Sequence, residues 1–296
     1  MDDVRDVEVR ERTVTANGIR MHVTEAGEGE HVILLHGFPE SSREYARVLP
    51  ALATRAHIVV PDLRGAGRTE APASGYDVQT VVSDVEGLLD ELGIQRTAIV
   101  AHDWSAFVAF ELCLTHPARF SRLVAIAAPP PYIRMTRTLA WAMVKAMRHL
   151  WFQLVVATPG LGPRLLSRGA QRLPTWILRF FEVQRIPDDD VAAYLAVLRE
   201  PARARAASAL YRHLILPGFG AIIGGAYRGR RLTVPTLILF GAEDGLLPKD
   251  TMTVSPDDAP DLSIEFVTGG AHYLVDDQPA EVARRIGEFL ELPAAA

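Results

Sequence analysis

Short aliphatic runs alternate with helical patterns at both ends of the chain. The runs are five or six residues long and nearly uninterrupted, which is typical of strands buried on both faces of a sheet. Such strands are predicted at residues 31–36, 56–60, 97–101, 123–127, 236–240 and 263–267, after an alternating hairpin at 7–14 and 19–24. Helices are predicted at residues 78–92 and 279–290, with a shorter helix ending near residue 53. This alternation predicts an α/β fold with a mostly parallel sheet flanked by helices.

The strand pattern disappears between residues 131 and 231. Helical patterns at 138–157, 173–184 and 191–214, separated by prolines and glycines, replace it. This segment contains 16 Lys and Arg and 5 Asp and Glu, a net +11, whereas the remainder contains 15 and 31, a net −16. We therefore predict an all-helical cap, 131–231, inserted between two parts of the core, 1–130 and 232–296.

The stretch 97–110 joins a strand to a helix with almost no loop. So abrupt a turn tolerates only small residues around an outward-pointing side chain, as in the nucleophile elbow, small-x-nucleophile-x-small-small. The pattern fits when it is centred on Asp103, because Ala101, Ser105 and Ala106 then fill the small positions, and it fails when centred on Ser105. Asp103 is therefore a candidate nucleophile, although an ordinary strand followed by an Asp helix cap would have the same residues.

Composition limits the classes of protein. The 296 residues are 49% hydrophobic and 23% charged, enough for a sizeable core, and the single cysteine, Cys113, excludes a disulfide within the chain. The net charge of −5 argues against nucleic acid as a partner. The charged N-terminus and the lack of a long uninterrupted apolar stretch predict a soluble, cytoplasmic protein with no membrane partner. Composition leaves the oligomeric state open.

Three residues whose side chains suit nucleophilic and acid–base catalysis occur in a characteristic order along the chain. Asp103 at the elbow is followed by Asp244 in the loop after a strand and by His272 before the last helix. This order resembles the α/β-hydrolase fold. Three short motifs resemble the epoxide hydrolase branch of that superfamily: H-G-F-P at residues 36–39, D-L-R-G-A-G at 62–67 and H-D-W at 102–104. The resemblance covers both core segments, about two thirds of the chain.

The resemblance implies an enzyme that opens an epoxide to a vicinal diol without cofactor or metal. A carboxylate is ionised at neutral pH, so Asp103 can attack an alkyl carbon directly and form an ester on its own side chain. His272 then activates water to hydrolyse that ester, and Asp244 holds the imidazole of His272 in the required tautomer. Glu243 is the second choice for this acid.

Other residues are assigned by their position beside the motifs. The backbone N–H groups of Phe38 and Trp104 are the expected donors to the tetrahedral intermediate of ester hydrolysis. The single histidines His36 and His102 are more often packing or loop-bracing residues than catalytic ones, and Asp62 is expected to brace a loop. The pocket for a hydrophobic epoxide, aromatic or polycyclic, is predicted to include His36, Pro39, His149, Trp151 and Phe152.

Ring opening leaves an alkoxide that needs a proton. Epoxide hydrolases supply it from two cap tyrosines, because a phenol is neutral at pH 7 and still acidic enough for an alkoxide. A Leu-Tyr-Arg stretch at Tyr211 matches the second of these tyrosines, whereas Phe152 occupies the position of the first. Either Tyr211 works alone, or Tyr194, His149 or Trp151 assists it, or the substrate is not an epoxide.

Two other functions remain open at this stage. A haloalkane or haloacetate dehalogenase would use the same Asp nucleophile and would bind halide through indole N–H groups, for which the chain offers Trp104, Trp141, Trp151 and Trp176. Against it, Phe38 stands where haloalkane dehalogenases commonly have Asn, and Trp104 where haloacetate dehalogenases usually have Arg. The other alternative is a catalytically silent α/β hydrolase that binds a ligand.

Overall fold

The computed structural model describes residues 7–133, 136–244 and 254–293, apart from the side chain of Met143. Within this part of the chain one eight-stranded sheet organises the fold, in the order β1-β2-β4-β3-β5-β6-β7-β8. The strands are Val9–Ala16 (β1), Ile19–Ala26 (β2), His31–Leu35 (β3), His57–Pro61 (β4), Thr97–His102 (β5), Phe120–Ile126 (β6), Thr236–Gly241 (β7) and Leu262–Val267 (β8). The sheet is antiparallel at β1, β2 and β4 and parallel from β4 to β8.

Helices cover both faces of this sheet. They are Leu49–Ala53 (α1), Val78–Glu91 (α2), Ser105–Thr115 (α3), Arg137–Ala157 (α4), Leu161–Ser167 (α5), Arg172–Phe180 (α6), Asp188–Leu198 (α7), Pro201–Leu210 (α8), Leu216–Gly224 (α9), Leu274–Asp277 (α10) and Pro279–Phe289 (α11). One apolar core lies between the sheet and α2 and α3 and continues into the helices between β6 and β7, and a second lies between the sheet and α1 and α11. The mostly parallel, two-faced sheet predicted from the aliphatic runs is confirmed.

The loops after β3, β5 and β7 meet at one edge, because parallel strands bring their carboxyl ends to the same side of a sheet. The central strands are mostly aliphatic and suit burial on both faces of the sheet; all six residues of β5 are buried, for example. The H-G-F-P motif, the elbow and Asp244 are therefore neighbours, although long stretches of sequence separate them.

Six helices, α4 to α9, occupy the chain between β6 and β7, and no strand interrupts them among the described residues. The prediction of a single helix over residues 191–214 is wrong. The segment is divided at Glu200 because Pro201, which has no N–H to donate, begins a new helix. A π-helical turn, Tyr211–Ile215, then links α8 to α9. Helix Pro201–Gly224 contains an 18-residue stretch that is apolar and long enough to span a membrane, but half of that stretch is buried inside the protein.

Candidate active site

The turn after β5 is as sharp as the sequence predicted, and Asp103 lies at its apex. Its φ angle is +55°, in the left-handed region that residues other than glycine rarely adopt. Its N–H donates to the carbonyl of Ile126 at 3.0 Å, and its own carbonyl accepts from the N–H of Ala106 at 3.1 Å. The buried Ser105 hydroxyl donates to the carbonyl of Leu35 at 3.0 Å. Neighbouring strands therefore hold Asp103 in this strained conformation.

The three predicted reactive residues meet at this edge of the sheet. Nε2 of His272 lies 3.6 Å from Oδ1 of Asp103, and Nδ1 lies 3.4 Å from Oδ2 of Asp244. Burial lowers the pKa of His272, but hydrogen bonds with Asp103 and Asp244 outweigh it and raise that pKa to about 9. Burial raises the pKa of Asp103, but His272, His102 and the N–H of Phe38 hold it below its usual range. At neutral pH the site therefore contains a carboxylate and an imidazolium.

Glu243, the second choice for the acid, has a different role. Its carboxylate accepts hydrogen bonds from the backbone N–H groups of Gly269 at 3.1 Å and Gly270 at 3.2 Å. These two glycines lie just before His272, so Glu243 braces the loop that carries the imidazole. Asp244 is the acid that faces the ring.

One backbone N–H group donates to the carboxyl group of Asp103, and the second predicted donor follows Asp103 directly in sequence. The N–H of Phe38 donates to its Oδ2 at 3.2 Å. Trp104 caps the N-terminus of α3, where backbone N–H groups have no acceptor within the helix. Gly37 permits the close approach of the H-G-F-P loop, since a Cβ there would lie 2.7 Å from Nδ1 of His102 and 3.1 Å from Cβ of Asp103. The N–H of Phe38 thus lies beside the candidate nucleophile, and the role of the Trp104 N–H as an oxyanion donor stays a prediction.

A cavity of about 260 Å³ lies over this carboxyl group, between the sheet and the helices that connect β6 to β7. Its polar side chains are Asp103, Gln153, Tyr211, Asp244, His272 and Tyr273. Most of the remaining lining is aliphatic or aromatic and includes Phe38, Phe107, Leu139, Leu150, Phe152, Ile177 and Phe219. The cavity is therefore suited to an apolar molecule with one reactive polar centre.

Five side chains were predicted to line the pocket, and three of them lie on α4. Phe152 lines the described cavity, whereas Trp151 and His149 do not. Trp151 is 46% exposed and packs against Trp176, with ring centroids 5.5 Å apart. His149 packs against Phe180, with ring centroids 5.2 Å apart. Adjacent helical residues point in different directions, so one of them can face the cavity while the next faces outward. The predictions for Trp151 and His149 are wrong.

His36 and Pro39 are also absent from the described lining of the cavity, so these two pocket predictions are wrong as well. Nδ1 of His36 donates to the carbonyl of Gly37 at 2.8 Å, and Nε2 accepts from the N–H of Leu63 at 3.0 Å. Burial lowers the pKa of His36, and a neutral ring satisfies both contacts. His36 braces the H-G-F-P loop against the loop after β4.

Asp62 braces the same region. Its carboxylate accepts from the backbone N–H groups of Ser42 at 2.8 Å and Arg68 at 2.7 Å, and it lies 3.1 Å from Nδ1 of His22. Burial raises the pKa of Asp62, but these partners outweigh burial and lower it to about 2. The carboxylate thus stays ionised and joins three segments of backbone outside the cavity.

Tyr211 lines the cavity from the start of the π-helical turn between α8 and α9. Its ring packs edge-on against Phe38, with centroids 4.9 Å apart, and lies 6.2 Å from the ring of Phe152. A second phenol, Tyr273, lines the same cavity and donates to the carbonyl of Phe38 at 3.4 Å. Sequence reasoning missed Tyr273; its position next to the predicted histidine was the available signal. Tyr194, considered as a helper, lies outside the described lining.

A buried cluster of charged residues lies directly behind the site, and sequence reasoning missed it too. Nε2 of His102 donates to the carbonyl of His272 at 2.8 Å, while Nδ1 lies 3.0 Å from Glu44 and 3.2 Å from Glu40. Burial lowers the pKa of His102, but the two glutamates raise it well above its usual value, so the ring is an imidazolium. Glu44 also accepts from the N–H of Gly37 at 2.9 Å. The cluster thus joins the three loops of the site.

Two buried carboxyl groups of this cluster, Glu40 and Asp276, interact with one another, and we infer that they share a proton. Both oxygens of Glu40 and Oδ2 of Asp276 are buried without a hydrogen-bond donor among the described residues. Burial and Glu44 raise the pKa of Glu40 to about 7, and burial and Glu40 raise that of Asp276 to about 8. One proton between the two carboxyls joins one oxygen of Glu40 to Oδ2 of Asp276. Atoms of Glu40, Glu44 and His102 lie within 4.8 Å of one another, as in a metal site, but the protonated Nδ1 of His102 is not a free ligand.

Similarity to known proteins covers almost the whole chain. The family described as alpha/beta hydrolase fold matches residues 30–279, so the chain belongs to the α/β-hydrolase family. It is 30% identical to epoxide hydrolase A of Mycobacterium tuberculosis, over 95% of this chain and 97% of that protein. An epoxide hydrolase of Caballeronia sordidicola is 28% identical over 95% and 94%. The crystal structure of epoxide hydrolase VrEH1 from Vigna radiata superposes with a TM-score of 0.73, at 27% identity over 96% and 98%. Within the family, the chain belongs to the epoxide hydrolase branch.

Proposed function

We propose that the protein hydrolyses an epoxide to a vicinal diol through an ester on Asp103. One observation carries the proposal: the carboxylate of Asp103, the imidazole of His272 and the phenol of Tyr211 surround one apolar cavity. Each group suits one requirement of the reaction, namely a nucleophile, a base for water and a proton donor for the alkoxide. Relatives named epoxide hydrolase, 28% and 30% identical, support the same assignment.

In the first step an oxygen of Asp103 forms a bond to a ring carbon while the ring C–O bond breaks. The alkoxide takes the phenolic proton of Tyr211. Esterification also removes the negative charge of Asp103, one of the two partners that keep the pKa of His272 high, so this pKa falls. The imidazolium can then return a proton to the phenolate. The step ends with a neutral ester, a neutral imidazole and a restored phenol.

In the second step the neutral His272 removes a proton from water, and the resulting hydroxide attacks the ester carbonyl of Asp103. Asp244 stabilises the imidazolium that forms, and the N–H groups of Phe38 and Trp104 stabilise the oxyanion. Collapse expels the diol oxygen, which takes the proton of the new carboxylic acid. The carboxylate and the imidazolium of the free enzyme are restored, and the reaction consumes one water for each epoxide.

The dimensions of the cavity favour a compact substrate. Its volume, about 260 Å³, lies just under the range of roughly 300–1,000 Å³ that is usual for pockets of drug-sized ligands. A small lipophilic aryl or alkyl epoxide fits these limits better than the polycyclic substrate considered from the sequence. Water and the side chains named above supply every group that the two steps need, so the proposal includes no cofactor.

Halide release is a weaker alternative, because a halide leaving group needs N–H donors that point into the cavity. None of the four tryptophans lines the cavity that the described residues form. Trp104 is buried, Trp141 and Trp151 are exposed on the cap, and Trp176 stacks on Phe180 with ring centroids 4.7 Å apart. The cavity instead contains phenols, which can donate a proton to an alkoxide leaving group.

A single turnover in water enriched in the heavy oxygen isotope tests the proposal. An aryl epoxide is reacted in one sample and a halogenated alkane in another, and the peptide containing Asp103 is analysed by mass spectrometry. Diol formation with label in Asp103 is expected from the epoxide, because water attacks the ester carbonyl. Diol formation without label in Asp103 would mean that water attacks the epoxide directly. Halide release with label would instead identify a dehalogenase, and no turnover of either would favour a binding protein.

A further inference from the structure

Helix α4 exposes an apolar face to solvent. Five apolar residues recur along it at alternating spacings of four and three, which places them on one side of the helix: Ala140, Val144, Met147, Trp151 and Leu154. Trp141 lies beside them, and it is 68% exposed. A surface helix normally turns such a face toward the core. We call these six residues the α4 face; an exposed patch of this kind marks an interaction site.

The surroundings of the α4 face are strongly positive. Residues 131–181 contain eight Lys and Arg and no Asp or Glu. On α4 itself the cations Arg137, Lys145 and Arg148 are all exposed and lie along one side of the α4 face. The first acid that follows, Glu182, is ion-paired with Arg179 at 2.9 Å. The partner that this surface complements is therefore both apolar and anionic.

The cavity opens at the same place. Met147 and Leu154 belong to the α4 face, and both also line the cavity. Ile223 of α9 is a third lining residue that is exposed at the rim. The apolar rim of the entrance is thus continuous with the apolar face of the helix, and a partner on this face would cover the entrance.

We propose that the α4 face docks on an anionic lipid bilayer. Trp141 and Trp151 enter the interfacial layer, the region that indole rings favour, and the neighbouring cations contact lipid phosphates. A second copy of the chain fits less well, because a symmetric dimer would bring two segments with eight cations each against one another. The absence of a membrane partner, predicted from the lack of a spanning segment, does not bear on a helix that lies flat on the surface.

Vesicle sedimentation tests this docking without reference to the reaction catalysed. The full-length protein is mixed with vesicles of phosphatidylcholine alone or of phosphatidylcholine with phosphatidylglycerol. Binding is expected with the anionic vesicles, with a loss at high salt and a blue shift of tryptophan emission. Lys145→Gln should weaken binding roughly fivefold, whereas Arg96→Gln, an exposed cation of the core, should leave it unchanged.

A second pair of variants tests the apolar contribution. Trp141→Ser should weaken vesicle binding, and Val9→Ser, which removes a similarly exposed apolar side chain from β1, should not. Equal sedimentation with both kinds of vesicle, or no sedimentation with either, would overturn the proposal. So would a dimer that Trp141→Ser dissociates, measured by analytical ultracentrifugation, because it would assign the α4 face to a second copy of the chain.

Discussion

The proton shared by Glu40 and Asp276 should make the stability of the protein depend on pH in a specific interval. The ordinary pKa values of these groups are 4.5 and 3.8, and in the folded protein they rise to about 7 and about 8. A group whose pKa is raised on folding stabilises the folded state fully below its unfolded pKa, and this contribution is lost as the pH rises through the folded pKa. The free energy of unfolding should therefore fall from mildly acidic to neutral pH.

The size of this fall follows from proton linkage. One proton held by the folded chain and released by the unfolded chain changes the free energy of unfolding by about 1.4 kcal/mol per pH unit. Between about pH 5 and about pH 6.5 the pair holds at least one such proton, so its contribution to stability should fall by at least about 2 kcal/mol. His272 and His102 do not interfere, because raised histidine pKa values reduce stability only above their ordinary value of 6.5. The lowered pKa of His36 acts with the opposite sign, so the contribution of the pair is read from the difference between the native protein and a variant of the pair.

The variant Glu40→Gln isolates the effect. The amide N–H can donate to Oδ2 of Asp276 without any titration, and Asp276 can remain ionised beside Arg47. The free energy of unfolding of this variant, measured by urea titration with tryptophan fluorescence, should fall less steeply over the same interval than that of the native protein. Glu28→Gln, which alters an exposed acid, should keep the slope of the native protein. An unchanged slope in Glu40→Gln would refute the shared proton.

Other substitutions test the proposed reaction. His272→Gln should block ester hydrolysis but allow ester formation, so an adduct on Asp103 should accumulate in intact-protein mass spectra; an unmodified protein after exposure to substrate would contradict the two-step route. Tyr211→Phe should slow ring opening roughly 10²- to 10⁴-fold in stopped-flow measurements. Tyr273→Phe should slow it less, because that hydroxyl already donates to a backbone carbonyl, and equal losses would mean that the two phenols act as a pair. Phe152→Tyr, combined with Tyr211→Phe, should recover part of the rate, and no recovery would show that position 152 cannot reach the alkoxide.

Local rules explain why so much of the fold and part of the site could be predicted. A buried parallel strand is aliphatic along most of its length, so β3, β4 and β5 are recognisable without knowledge of their neighbours. The elbow was equally predictable from local sequence, because a left-handed φ between a strand and a helix requires small residues at fixed offsets from Asp103. The order of Asp103, Asp244 and His272 then followed from where each strand ends.

Side-chain direction was decided only by packing. Trp151 and Phe152 are adjacent in sequence, yet one faces solvent and the other the cavity, and nothing in the local pattern distinguishes them. The same holds for Tyr273, whose phenol enters the cavity because the loop that carries His272 folds over Phe38.

The sequence by itself determined the alternating α/β core, the helical segment between β6 and β7 and the elbow that presents Asp103. Tertiary structure decided which charged groups meet: Glu40 and Asp276 come from opposite ends of the chain, and their shared proton exists only because folding buries them side by side. The physical reason is that backbone conformation follows from near neighbours in sequence. Burial, and the pKa shifts that it causes, depend on contacts between residues far apart in the chain.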